Sequence, residues 1–152
     1  MPSHYERRVL PQSAEQMYDL VADVRRYPEF LPWVSAIRVR SDSEAEMLAD
    51  MVVGFKSLKE TFSSRVIKCP HNMITIDYID GPMKHLNNRW IFEDLPNGGS
   101  TVEFNVDFSF RNIVFEKLAG QFFESALRKM TGAFITRANL LYDNGGSKSL
   151  SA

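Results

Sequence analysis

The sequence predicts an α+β fold in which a curved antiparallel sheet of about seven strands wraps around a long C-terminal helix. The first observation is a series of consecutive short segments between residues 34 and 111, in which apolar and polar residues alternate with period two. The second is a run of apolar residues that keeps helical spacing over about thirty residues near the C-terminus. Short turns between successive strands favour antiparallel pairing, and a sheet of this size curls because strands twist. The broad apolar face of the helix then needs the sheet as its cover.

The N-terminal part of the chain is predicted to form one strand and two short helices. Residues 4–10 are a strand candidate, and Ser13 with Gln16 matches a capping box that starts the first helix. Pro28 suits the first turn of a second short helix, because it lacks an N–H that would otherwise stay unpaired there. Pro32 is expected to end that helix.

The clearest strand covers residues 101–110, where every second side chain is apolar and the intervening ones are polar. It follows the hairpin signal of residues 96–99, since Asn and Gly tolerate positive φ. One face of this strand is therefore expected to be buried and the other wet. A helix should begin after Asn112. Residues 1–143 are expected to form a single domain, and the Gly- and Ser-rich residues 144–152 a flexible tail.

Charge and composition exclude several classes of function. The net charge of −1 gives no field for binding DNA. A single cysteine, Cys69, cannot form an internal disulfide, which favours a reducing compartment. The N-terminus has no apolar signal core and no Arg- and Ser-rich presequence, and no apolar run approaches the roughly 18 residues that span a bilayer. We therefore expect a cytoplasmic protein, with membrane contact at most peripheral, at the inner face of the cell membrane.

Known catalytic and metal-binding patterns are absent from the sequence. It contains no zinc-protease, phosphate-binding-loop, paired-cysteine or nucleophile-elbow motif, and its three histidines are scattered. No catalytic residue, no metal site and no required cofactor is expected.

Polar side chains on otherwise apolar strand faces are the more informative feature. Asn88 lies on such a face, and Glu60 and Ser64 flank Phe62. Each could fix the polar head of a ligand in an apolar pocket, or could be satisfied by other protein groups or water. The many aromatic residues are equally ambiguous, because periodicity does not distinguish a filled core from a cavity wall.

Two long motifs and the Phe-rich C-terminal helix carry a resemblance to a known family. The motifs are residues 21–33, with Tyr27, Pro28 and Phe30, and residues 80–92, which begin Asp-Gly-Pro. The chain resembles the coenzyme Q-binding protein family of the START-like, polyketide cyclase-related superfamily over nearly its whole length. It departs from the common pattern at Val34 and Met83, where many relatives carry Cys and Phe. With no mitochondrial presequence, the chain resembles a bacterial member.

The resemblance implies a helix-grip fold that encloses a hydrophobic tunnel. It implies that the bound ligand is ubiquinone or a related polyprenyl quinone or lipid, and that the protein acts as a non-catalytic chaperone in respiration or quinone biosynthesis. Motif positions and inward aromatic spacing together give the candidate ligand-binding residues: Phe30, Leu31, Trp33, Phe62, Tyr78, Pro82, Met83, Leu86, Asn88, Trp90, Phe104, Phe108, Phe122, Phe123 and Met130.

Two alternatives remain open from the sequence. Relatives in the superfamily are polyketide cyclases or dehydratases, and such chemistry would need an acid–base pair drawn from Glu60, Tyr78, His85 and Asn88. Bacterial relatives are also described as ribosome-association toxins that block the joining of ribosomal subunits. Binding to the ribosome would need a local basic surface, which the overall charge does not favour.

Overall fold

The structure, a computed structural model, describes residues 3–55 and 58–142. Side chains are described in both ranges except at residues 55 and 58 and, in the last helix, at 114–116, 118–124 and 126. The predicted tail at 144–152 and the side chains of Phe122 and Phe123 lie outside what is described.

Seven strands and three α-helices account for most of the described chain, with a 3₁₀ turn at Val24–Arg26. In chain order they are β1 (Ser3–Leu10), α1 (Ala14–Ala22), α2 (Tyr27–Phe30), β2 (Val34–Asp42), β3 (Glu46–Phe55), β4 (Leu58–Cys69), β5 (Met73–Asp80), β6 (Met83–Asp94), β7 (Ser100–Phe110) and α3 (Ile113–Tyr142). The predicted order of elements is confirmed, and α3 has the expected length of 30 residues.

All seven strands belong to one antiparallel sheet with the order β1-β7-β6-β5-β4-β3-β2. Each of the strands β2 to β7 is thus hydrogen-bonded to the strand that precedes or follows it in the chain. The N-terminal strand β1 instead pairs with β7 and forms one edge, while β2 forms the other.

The predicted capping box starts α1. The Gln16 backbone N–H donates to Ser13 Oγ at 3.1 Å, and the Ser13 N–H donates to Gln16 Oε1 at 3.0 Å. Met17 and Val21, spaced four residues apart, are each 1% exposed and anchor the helix in the core. The N–H of Ala14 donates to Asp94 Oδ1 at 2.9 Å, which ties the start of α1 to the end of β6.

The inner face of the sheet packs against α3 around Phe134, which is 2% exposed. Its ring centroid lies 5.2 Å from Trp90 on β6, 5.3 Å from Tyr27 and 5.1 Å from Phe30. Trp90 in turn lies opposite Phe104 on β7, with their centroids 4.7 Å apart. The second half of α3 is therefore held by the sheet on one side and by α2 on the other.

Register shifts interrupt the sheet in β2, between β4 and β5, and at the start of β6. In the β4–β5 pair Ser63 lies opposite Asp80 while Ser64 lies opposite Tyr78, so Ile79 has no partner on β4. Irregularities of this kind bend a strand and increase its twist. They help the sheet to curve around the helix.

The expectation that the polar face of β7 is wet is wrong at two positions. Thr101 is 2% exposed and Ser109 is 5% exposed. Strand β7 lies between β1 and β6, and Thr101 pairs with Val9 on one side and Glu93 on the other. The threonine side chain therefore has a cross-strand neighbour on each side, which limits its contact with water.

Candidate ligand-binding site

A cavity of about 50 Å³ lies between the inner face of β3–β5 and the segment from α1 to α2. The described part of its wall is apolar except for the hydroxyl groups of Ser64 and Tyr27. The lining residues are Val21, Val24, Tyr27, Ala49, Met51, Phe62, Ser64, Val66, Ile74 and Ile76. Because Met51, Phe62 and Ile76 are only half-buried, this part of the inner face is less tightly covered than the part around Trp90.

A second cavity of about 20 Å³ lies under the second half of α3, near the β1 edge. Apolar side chains such as Trp90, Phe104 and Phe134 form most of its wall, and Glu6 and Thr131 form a polar corner.

The two cavities are small compared with the expected ligand. An enclosed apolar cavity of roughly 150 Å³ accommodates benzene, whereas about 50 Å³ holds a few water molecules. The expected open tunnel is therefore not present between the described side chains at this site. Movement of half-buried side chains such as Met51 and Phe62 would enlarge the cavity for a ring.

The segment between α1 and β2 is anchored to α3 by aromatic and charged contacts. The Tyr27 hydroxyl donates to the Val21 carbonyl, and burial raises the pKa of Tyr27 far above its usual range. The Arg137 guanidinium lies 5.3 Å from the centre of the Phe30 ring, and its Nη2 lies 2.6 Å from Glu29 Oε1. The Tyr-Pro-x-Phe motif thus serves first to fasten α2 to the last helix.

The turn between β5 and β6 is closely packed. Gly81 has φ +144°, and a Cβ atom there would lie 2.8 Å from the Thr61 carbonyl oxygen and 3.0 Å from the Tyr78 hydroxyl. That hydroxyl accepts the backbone N–H of Met83 at 2.9 Å, and the Tyr78 ring meets Phe62 edge-on. The Asp-Gly-Pro motif therefore folds this turn onto the end of the inner face.

The structure places the predicted site residues in three groups. Phe62 lines the larger cavity, while Trp90 and Phe104 line the smaller. Tyr78, Leu86, Asn88 and Phe108 share the inner face with them. The other described positions lie around this face: Leu31 and Met83 are buried, and Phe30, Trp33, Pro82 and Met130 are half-buried. Ligand contact by any of them stays a prediction.

Among the residues considered for acid–base chemistry, Asn88 and Tyr78 are bonded to backbone groups and His85 lies on the other face of the sheet. The Asn88 amide donates to the Asn105 carbonyl at 2.8 Å, and the Tyr78 hydroxyl already bonds Met83. His85 lies on the opposite face of β6 from Leu86 and Asn88. Within the described residues, no group of three His, Cys, Asp or Glu side chains could hold a metal ion.

The sequence did not predict a polar cluster that the structure shows on the inner face of β1. Glu6 accepts from Thr131 Oγ1 at 3.0 Å, from Arg8 Nε at 3.1 Å and lies 2.6 Å from His4 Nε2. Burial acts to raise the pKa of Glu6, but the hydrogen bonds from His4, Thr131 and Arg8 outweigh it and lower the pKa. Both faces of β1 carry polar residues, so alternation gave no sign of which face turns inward.

Comparisons with known proteins agree with this architecture. A family described as "Polyketide cyclase / dehydrase and lipid transport" matches residues 10–135. The chain belongs to this START-like family. A START superfamily protein from Mycobacterium smegmatis has the same fold, with a TM-score of 0.79 over 91% of this chain and 98% of that one, at 15% identity. The 18 kDa protein CC1736 from Caulobacter crescentus is 32% identical, with a TM-score of 0.75 over 93% and 99% of the two chains.

Two relatives of this chain carry different functional names. "Ribosome association toxin RatA" from Escherichia coli K12 is 34% identical over 93% of this chain and 90% of the relative. "Coenzyme Q-binding protein COQ10 homolog B, mitochondrial" from Xenopus laevis is 33% identical over 90% of this chain and 58% of the relative. Among the described residues, no helix combines the length and apolar character that crossing a bilayer requires.

Proposed function

We propose that this START-like protein is a non-catalytic carrier that binds ubiquinone, or a related polyprenyl quinone or lipid, in the cavity between the inner face of β3–β5 and the segment from α1 to α2. In this role it supports respiration or quinone biosynthesis and acts in the cytoplasm, with peripheral contact to the membrane that supplies its ligand.

The half-buried apolar side chains of Met51, Phe62 and Ile76 at the larger cavity carry this proposal. Apolar surface left partly in contact with water gains roughly 25 cal/mol per Å² when a ligand covers it. The three side chains come from three adjacent strands and face the same space, so one ligand can cover them together. The relative named as a coenzyme Q-binding protein supports a quinone as the ligand.

Extraction of the natively purified protein tests the proposal. The wild-type protein should release a quinone or polyprenyl lipid in near-stoichiometric amount, identified by mass spectrometry of an organic extract. Ala49→Leu fills the cavity and should lower the amount of bound lipid. Val52→Leu is the matched control, because Val52 lies on the outer face of the same strand, paired with Thr61. A lipid-free wild-type extract, or equal lipid content in both variants, would contradict the proposal.

Ribosome association is the second candidate function, favoured by relatives named as ribosome association toxins at 34% to 38% identity. Sedimentation of purified ribosomal subunits with added protein tests it. Co-migration with one subunit, loss of the joined ribosome peak and weakening by salt would favour this role. Retention of all three effects in Ala49→Leu would assign them to a surface separate from the cavity.

A further inference from the structure

The polar groups on the inner face of the sheet differ in whether the protein itself satisfies them. Near β1, β6 and β7, the Asn88 amide donates to the Asn105 carbonyl and Glu6 accepts from Thr131. At the far end of β4, Lys68 Nζ lies 2.7 Å from Asp42 Oδ1. Each of these groups has a protein partner.

Ser64 differs from them. Its hydroxyl lines the larger cavity, and the described part of the chain offers it no hydrogen-bond partner. The preceding residue Ser63 points to the outer face, where its hydroxyl donates to Asp50 Oδ1 at 2.8 Å. Ser64 also sits at the register shift between β4 and β5, and such shifts are frequent beside binding sites, where they re-aim a side chain.

We propose that Ser64 is the polar anchor of the cavity and donates a hydrogen bond to a carbonyl oxygen on an otherwise apolar ligand. The inference rests on the proposed carrier function and specifies the ligand chemistry at the same site. The other hydroxyl among the described lining residues, that of Tyr27, already donates to the Val21 carbonyl. None of the ten described residues that line the cavity is charged, so among them a carboxylate or phosphate head would lose its hydration without finding a counter-ion. A neutral carbonyl meets no such penalty.

Binding of two probes with matched alkyl chains tests the assignment. Decylubiquinone carries ring carbonyls and decylbenzene carries none, and both can be titrated against intrinsic tryptophan fluorescence, with competition against an environment-sensitive dye as a second readout. Ser64→Ala should weaken decylubiquinone binding about 3- to 10-fold, which corresponds to one neutral hydrogen bond. The same change should leave decylbenzene binding within twofold of wild type.

Two variants serve as controls. Ser63→Ala removes the neighbouring hydroxyl on the outer face and should leave binding of both probes unchanged. Ser64→Thr keeps a hydroxyl and should retain decylubiquinone affinity within about threefold, with thermal melting by circular dichroism to confirm that each variant folds.

Each outcome separates the anchor from the carrier function. If decylubiquinone binds wild type and Ser64→Ala equally, the proposed hydrogen bond from Ser64 is wrong while the proposed carrier function is retained. An equal loss for both probes would assign Ser64 to the shape of the cavity and would also overturn the anchor. If the wild-type protein binds neither probe, the carrier function and the anchor both fail.

Discussion

Replacement of Phe134 by alanine tests whether the sheet and α2 together hold the last helix. Phe134 is 2% exposed, and its ring meets Tyr27, Phe30 and Trp90 at centroid distances of 5.1 to 5.3 Å. Truncation of a buried phenylalanine to alanine costs about 3–5 kcal/mol, and the edge-to-face contacts place this site near the upper end. For a chain of this length, Phe134→Ala should therefore lower Tm by roughly 6–20 °C.

Urea unfolding followed by circular dichroism provides the measurement. The midpoint should fall while the slope of the transition stays unchanged, because the same surface is exposed on unfolding. Leu140→Ala is the control on the same helix; Leu140 is 74% exposed, so its truncation should change stability by less than about 0.5 kcal/mol. A loss below about 1.5 kcal/mol for Phe134→Ala would refute the packing described for α3.

Three further predictions concern the turns, the first helix and the β1 cluster. Gly81→Ala should destabilise the protein more than Gly98→Ala in the same urea assay. Both glycines have positive φ, but only at Gly81 would the new Cβ meet the Thr61 carbonyl. Equal losses of stability would contradict this reasoning. Ser13→Ala should cost about 0.5–2 kcal/mol of unfolding free energy through loss of the α1 cap, and no loss would contradict the capping role. Because the pKa of Glu6 is lowered on folding, its stabilising contribution is present above the ordinary glutamate value of about 4.3 and is lost as pH falls through the folded pKa. Glu6→Gln should therefore flatten the acid side of the stability–pH curve, and an unchanged curve would contradict it.

Local features of the fold could be predicted because their causes are local. The Ser13 capping box needs only four consecutive residues, and the helical spacing of α3 is visible over its whole length. The alternation in β7 identified Phe104 and Phe108 as inward-facing, and both are buried. These signals depend on hydrogen bonds and periodicity within one element, so sequence reasoning was sufficient.

Features of the candidate site were harder to predict because they depend on several elements at once. Asn88 looked like a possible ligand contact, yet its amide bonds a backbone carbonyl on β7, which only the strand register reveals. Glu6 was missed because its partner Thr131 lies 125 residues away. Ser64 could be named as a polar residue beside Phe62, but its lack of a partner among the described residues required the three-dimensional arrangement.

The most direct test of the central claim is a methyl NMR titration of the isoleucine-labelled protein with decylubiquinone. Ile76 lines the larger cavity on the inner face of β5, whereas Ile67, on the outer face of β4, is 41% exposed. Binding in this cavity predicts saturable shifts at Ile76, together with nuclear Overhauser contacts to the quinone ring, and an unchanged Ile67 signal. Shifts confined to Ile67 and other exposed isoleucines, or none at saturating ligand, would contradict the account.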